Sequence, residues 1–296
     1  MSEWDGKSKG TPLGYKIIIF IIKHIHIRVA YFFVWFIALY YYLTVNKQYI
    51  YFFYHTLLHF KPLKAHISVY RNYLVFGKSM IDKIAIISGN ENSFTFDFEG
   101  ENHLHDMANT GKGGIIIGAH AGNWEIAGHL LKRINKPVHV VMYDGERSNI
   151  KELIEEVTGG TSFNLILIKD DDLSHIYFIS DALRNGDLIA MHGDRYRDDS
   201  KTTECDFFGM KADFPLGPFF LASQFDVPFC FVSTMKESNT HYHFHSTEPL
   251  KIEKEDKELV AQHVHLMAKY YATNLEKTVR KYPYQWFNYY NFWKTK

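Results

Sequence analysis

His120 stands five positions ahead of Glu125 in GGIIIGAHAGNWEIAGHLL, residues 113–131, where a strand-like apolar run gives way to a helical pattern. A neutral imidazole takes a proton from a hydroxyl or amine near pH 7, and a carboxylate on its other ring nitrogen fixes the tautomer and stabilises the imidazolium. His120 as general base and Glu125 as its orienter therefore form a candidate dyad that needs no covalent protein nucleophile. The same spacing also suits a core histidine beside a helix-capping glutamate. Context sharpens the catalytic reading: Gly118 and Gly122 permit close backbone approach, Asn123 brings a donor and Trp124 a flat apolar wall. Backbone amides around Gly122 and Asn123 are candidates for stabilising a developing oxyanion.

The elements around these residues explain why they would meet a substrate. Gly114–Gly118 is β-branched and bounded by glycines, which predicts a buried parallel strand, while Ile126, Leu130 and Leu131 recur at helical spacing. In open α/β sheets ligands settle at the carboxyl ends of strands, which is where His120 falls. Further strands are expected at 114–119, 138–143, 165–168, 188–192, 228–234 and 242–246, with helical patterns between several of them. Residues 66–87 and 253–283 read as amphipathic helices, the second stopped at Pro283. The expected fold class is α/β, with a largely parallel or mixed sheet covered on both faces.

At 296 residues the chain accommodates one large domain and an N-terminal appendage. Zero net formal charge, with no basic stripe interleaved with stacking aromatics, argues against nucleic acid as a partner. Cys205 and Cys230 lie far apart, which fits a reducing compartment and no disulfide framework. The aromatic content of 17% favours a membrane interface. From Gly6 to Lys64 there is no acid, while Lys7, Lys9, Lys16, Lys23, Arg28, Lys47, Lys61 and Lys64 are basic. The uncharged run from Val29 to Val45 either spans a bilayer with a short helix or lies in its interface, and a second aromatic run follows at 49–60. These features divide the chain into a basic, aromatic membrane-anchoring segment, 1–65, and a catalytic domain, 66–296. Alternation of His241, His243 and His245 predicts a solvent-facing stripe rather than a metal site, and Ser162 lacks the setting of a hydrolase nucleophile.

The block AHAGNWEIAG resembles the H-x4-[DE] block of the lysophospholipid acyltransferase superfamily, in the form typical of the late acyltransferases of lipid A biosynthesis. MHGDRYRDD at 191–199, FFGMKADFPLGPFFLASQFDVPFCFV at 207–232 and YPYQWFNYYNFW at 282–293 resemble later blocks of that family, in the same order. Two positions depart: Arg195 stands where the family usually carries glutamine, and the chain closes on Asn-Phe-Trp instead of a basic pair before tryptophan. The resemblance implies transfer of a fatty acyl group from an acyl carrier protein or coenzyme A thioester to a lipid hydroxyl, at the cytoplasmic face of a bacterial inner membrane. The acceptor is of lipid A, lysolipid or amino-acid lipid type. Beyond the thioester co-substrate, no cofactor or metal is expected. Arg195 is a candidate grip for a phosphate or carboxylate. Asp194 is a candidate to orient His120 or Arg195, and Gly217 to pass close to the donor, with Phe219 and Phe220 lining an acyl slot. The alternatives are a non-catalytic lipid-binding protein of the same fold and a thioester hydrolase.

Overall fold

In the computed structural model, which describes residues 20, 27–124, 126, 133–143, 164–169, 172–197, 200–252 and 260–294, the run ahead of His120 is the strand β2 (Gly114–Gly118). All five of its residues are buried, as a strand covered on both faces requires. The other strands of its sheet are β1 (Thr95–Glu99), β3 (Val138–Tyr143), β4 (Asn164–Ile168), β5 (Leu188–His192), β8 (Phe229–Lys236) and β9 (His241–Ser246). Their spatial order is β1-β9-β8-β2-β5-β3-β4, parallel throughout except for the antiparallel β8–β9 pair. β2 is central, and in register with it β5 sets Gly118 beside His192. The exits of two neighbouring parallel strands thus deliver His120 and the 192–195 segment to one place.

Helices cover the sheet. α1 (Ile27–Thr44) packs along α3 (Pro62–Ile87), with the short α2 (Gln48–Phe52) and a π-helical turn at Phe53–Leu57 between them. Their approach is close: a side chain at Gly77 would sit 2.6 Å from Val34 Cγ1. Pro62 opens α3 at a position where its missing N–H costs nothing. α4 (Glu101–Asn109), α5 (Ser174–Arg184) and α6 (Gly217–Phe225) follow, and α7 (Val260–Lys281) buries Val264, Met267, Ala268, Tyr271, Leu275 and Val279 at helical spacing. The expected start of α7 at 253 lies outside the described residues.

Two features depart from the sequence expectations. Residues 202–215 form an antiparallel hairpin, β6 (Thr202–Phe207) and β7 (Met210–Pro215). Its two-residue turn puts Phe208 and Gly209 at φ of 53° and 77°, the left-handed pair that suits the twist of flanking strands. Phe208 tolerates this because its N–H donates to Glu276 Oε2 at 2.6 Å. Second, core packing runs across the boundary expected at residue 65. Phe53 stacks parallel to Trp293 and meets Phe208 and Trp286 edge-on, so the 48–57 segment belongs to the main core. Around α1 the pattern differs: Phe32, Phe33, Trp35, Phe36, Tyr40 and Leu43 are exposed. By length and composition α1 is apolar enough to cross a membrane.

α1 is tied down at its start by a buried ionic hub. Tyr31, Tyr242 and Lys236 all donate to the Asp82 carboxylate, joining α1, α3, β8 and β9. The Lys236 and Asp82 side chains are 6% and 0% exposed, so neither charge has water as an alternative partner.

Candidate active site

Two glycines bring the strand exits together. Gly118 O accepts the Gly193 N–H at 3.0 Å and the Tyr271 hydroxyl at 2.8 Å, which fastens β2 to the end of β5 and to α7. A Cβ at Gly193 would lie 2.7 Å from Ile117 Cγ2 and 2.9 Å from the Tyr271 ring, so only glycine lets the turn close. Beyond that turn, Asp194 folds back onto His120. The His120 N–H donates to Asp194 Oδ2 at 2.9 Å, and His120 Nδ1 lies 2.8 Å from Asp194 Oδ1. On the far side of the ring, His120 Nε2 faces His192 Nδ1 at 3.3 Å. Trp124 packs edge-on against the His192 ring, centroids 4.6 Å apart.

The chain's last segment closes the site from below. Ala121 pairs with Trp286 in an antiparallel bridge, and the Phe287 N–H donates to His120 O at 2.9 Å. Trp286 Nε1 donates to Asp194 Oδ2 at 3.3 Å, and the Tyr290 hydroxyl to Asp194 O at 3.1 Å. The Gln285 side chain brackets Lys236, accepting from its N–H and donating to its C=O, both at 2.8 Å. The P-x-Q-W stretch is therefore the buttress of the His120 loop.

Electrostatics set the protonation of the trio. Burial alone would raise the Asp194 carboxyl, but the His120 charge and hydrogen bond, with Arg195 and His192 nearby, hold it well below the usual carboxylate range. Asp194 is thus an ionised acceptor, and His120 Nδ1 carries the proton that donates to it. Burial, reinforced by His120 and Arg195 against the pull of Asp194, pushes His192 well below the ordinary histidine range, so it is neutral at pH 7. Among the described residues, His120, His192 and Asp194 are the one group whose nitrogen and carboxylate donors come within 4.8 Å of one another, as a shared ion would need. The hydrogen bonds already account for that proximity.

Of the residues singled out by sequence, His120, Trp124, Asp194 and Arg195 meet here. Arg195 Nη2 donates to Phe287 O at 2.7 Å, which anchors the guanidinium to the closing segment. Glu125, expected to orient His120, lies outside the described residues; the carboxylate on His120 Nδ1 is that of Asp194. Among the amides around Gly122 and Asn123 expected to stabilise an oxyanion, these two donate within the fold: Gly122 N–H to Gln285 O at 2.7 Å and Asn123 N–H to Thr234 O at 2.8 Å. The Asn123 side chain is buried and donates to Ser79 O at 2.9 Å. Gly217 opens α6, and no protein atom lies within 4 Å of where a side chain would project. Phe219 packs inward against Phe229 and Tyr271 while Phe220 is exposed, so the two do not line one slot. The histidine stripe is not bare: His243 pairs with Asp97 and Glu99 of β1, and His241 with Asp97.

The sequence profile of the bacterial lipid A biosynthesis acyltransferases matches residues 69–295. The chain belongs to that family. The match runs from within α3 through the His120 loop, the 191–197 segment and the hairpin to the closing buttress. No curated protein matches the chain in sequence. A solved structure, the 1-acyl-sn-glycerophosphate acyltransferase PlsC from Thermotoga maritima, aligns over 89% of this chain and 97% of its own at 13% identity and a TM-score of 0.36. Sequence reasoning within this family of acyltransferases passed over His192, Gly193, Trp286 and Tyr290. The signal for His192 was available, since it lies two residues before an acid at a strand exit.

Proposed function

We propose that the protein transfers a fatty acyl group from the thioester of acyl carrier protein or coenzyme A to a lipid hydroxyl, with His120 as general base and Asp194 as its orienter. The observation that carries this is the pairing of His120 Nδ1 with the ionised Asp194 at 2.8 Å, at adjacent strand exits of a family acyltransferase. An Nδ1–H donating to a carboxylate directs the lone pair to Nε2, and the carboxylate stabilises the imidazolium that forms. The acceptor oxygen attacks the thioester carbonyl as its proton passes to the imidazole. The tetrahedral oxyanion then collapses, the carbon–sulfur bond breaks, and the imidazolium returns the proton to the thiolate. No cofactor beyond the thioester is required by this balance. Arg195, held on the Phe287 carbonyl, keeps a positive charge beside the site for the phosphate of acceptor or carrier.

The aromatic face of α1, with the basic residues around it, suits the headgroup region of the cytoplasmic leaflet of an inner membrane, where an apolar acceptor would be presented. The acceptor is of lipid A type or another lysolipid or amino-acid lipid. A lipid profile by mass spectrometry tests the reading, using membranes of cells lacking the protein and complemented with wild type or His120→Ala. One lipid class should lose a single acyl chain, restored by wild type alone. Restoration by both chains would make the protein a lipid-binding scaffold. An unchanged profile together with released fatty acid would make it a thioester hydrolase.

A further inference from the structure

His192 has no part in the mechanism above, yet it occupies the position from which that mechanism must be reached. Its Nδ1 lies 3.3 Å from His120 Nε2, the nitrogen that would accept the acceptor's proton, with the two ring centroids 4.3 Å apart. A general base is neutral before the reaction; with His120 neutral and its Nδ1–H donating to Asp194, His120 Nε2 is an acceptor, and the contact is satisfied only if His192 carries its own proton on Nδ1. His192 Nε2 is then a lone pair, and no hydrogen bond to it is recorded among the described residues. The ring is held in place. Trp124 packs against it edge-on, and a side chain at Gly118 would come within 3.4 Å of His192 Cδ2, ordinary contact at the limit of tightness. A 3.3 Å separation is long for an N–H···N bond, and catalytic bonds commonly tighten once charge develops.

We propose that His192 is a catalytic residue: it takes the acceptor hydroxyl's proton on Nε2 while its Nδ1 proton passes to His120 Nε2. The inference rests on the acyl-transfer reading and specifies its proton path. The balance is complete. The O–H bond breaks as the oxygen bonds to the thioester carbon, one proton arrives at His192 and another leaves it, and the positive charge comes to rest on His120 against the Asp194 carboxylate. Collapse of the tetrahedral species reverses both transfers and protonates the leaving thiolate. His192 stays neutral before and after, which suits a site where burial disfavours its charged form. The buried Asp194 then stabilises the one cation the step creates, two rings away from the reacting carbon.

The test uses the full-length chain with lauroyl thioesters of coenzyme A and of acyl carrier protein. The acceptor is the under-acylated lipid extracted from deletion cells, in detergent micelles. In His192→Gln and His192→Ala, kcat should fall roughly 10²-fold or more with KM within a few-fold, the size of a general acid–base contribution. Added imidazole should restore His192→Ala and leave His120→Ala inactive. The wild-type rate in mixtures of light and heavy water should bow as two moving protons require. A kcat within threefold of wild type in either variant, loss without imidazole rescue, or a linear isotope dependence would each overturn the relay. Nitrogen-15 histidine spectra of the wild type give a reading independent of variant folding: His192 should carry its proton on Nδ1, and the opposite tautomer refutes the proposal. If wild type transfers nothing, the acyl-transfer reading itself falls and the relay with it.

Discussion

Asp194→Asn is the substitution whose consequence follows most directly from the geometry. Among the described residues, Oδ2 accepts two donors, the His120 N–H at 2.9 Å and Trp286 Nε1 at 3.3 Å, while Oδ1 accepts from His120 Nδ1. An amide has one oxygen, and the two donors claim it. Its NH2 is then left facing His120 Nδ1, which must become an acceptor, so the proton moves to Nε2 and the lone pair needed for catalysis is gone. Restoring the productive tautomer means flipping the amide and setting its NH2 against two N–H groups. Each unsatisfied buried donor costs about 1–3 kcal/mol, so the pair costs roughly 2–6 kcal/mol. At 1.36 kcal/mol per tenfold this is on the order of 10²–10⁴ in rate, before counting the lost carboxylate charge. Steady-state acyl transfer should show kcat reduced about 10³-fold with KM within a few-fold. Stability supplies a second reading. The native carboxyl is held below its unfolded value near ~3.9, so its contribution is fully present above about pH 4 and is lost as pH falls through the native value. Acid unfolding of Asp194→Asn should therefore lack that part of the wild-type loss below about pH 4. A kcat within tenfold of wild type in a variant that melts normally would refute the tautomer argument and return the orienting role to Glu125, for which Glu125→Gln is the parallel control.

Gly122→Ala should destabilise by about 3 kcal/mol: φ is +69°, the new Cβ would meet Thr234 O at 2.1 Å, and relief would break the neighbouring backbone bonds. Chemical denaturation checks it, and a variant of wild-type stability would show that the loop can shift. Asp82→Asn should cost about 3–5 kcal/mol by leaving the Lys236 ammonium buried without its countercharge, whereas Asp82→Leu with Lys236→Met should recover much of the loss. Thermal melts of both single variants and the double read that coupling, and additive effects would deny it. Phe36→Asp with Leu43→Asp removes two side chains 58% and 68% exposed on α1. At about 1.5–3 kcal/mol of apolar burial each, partition onto phosphatidylethanolamine–phosphatidylglycerol vesicles should fall at least about 100-fold, and unchanged co-sedimentation would place the membrane contact elsewhere.

Much of the sheet was legible because interior parallel strands are largely apolar: Gly114–Gly118, buried throughout, and the half-buried Val138–Tyr143 and Leu188–His192 are short apolar runs bounded by turns. β1 escaped notice for the complementary reason. TFDFE alternates, exposes three of its five residues and lies at the sheet edge, so its pattern reads as weakly as its burial. The hairpin was hidden by Phe208, a residue that does not ordinarily announce a left-handed turn and is held there by Glu276, 68 positions away. Local chemistry foretells local structure. What pins a residue from far along the chain leaves no trace nearby.

That asymmetry also governs the site. A motif such as H-x4-E invites a partner close in sequence, because proximity along the chain is the one geometry a sequence displays. The partner on His120 Nδ1 instead comes 74 residues later, at the exit of the neighbouring strand, and parallel register is the reason. Gly118 opposite His192 places positions 120 and 194 at matching distances beyond their strands, so a base on one exit and an acid on the next meet without any special loop. The closing segment near residue 286 locks that meeting by engaging both sides, His120 O through the Phe287 N–H and Asp194 through Trp286 Nε1. Its aromatic residues, which composition alone assigns to a membrane interface, are here the wall behind His120 and Asp194. Truncation before the buttress therefore removes the support of both partners at once, and it is at Trp286, more than at any exposed aromatic of α1, that loss of a ring should abolish activity while leaving membrane binding intact.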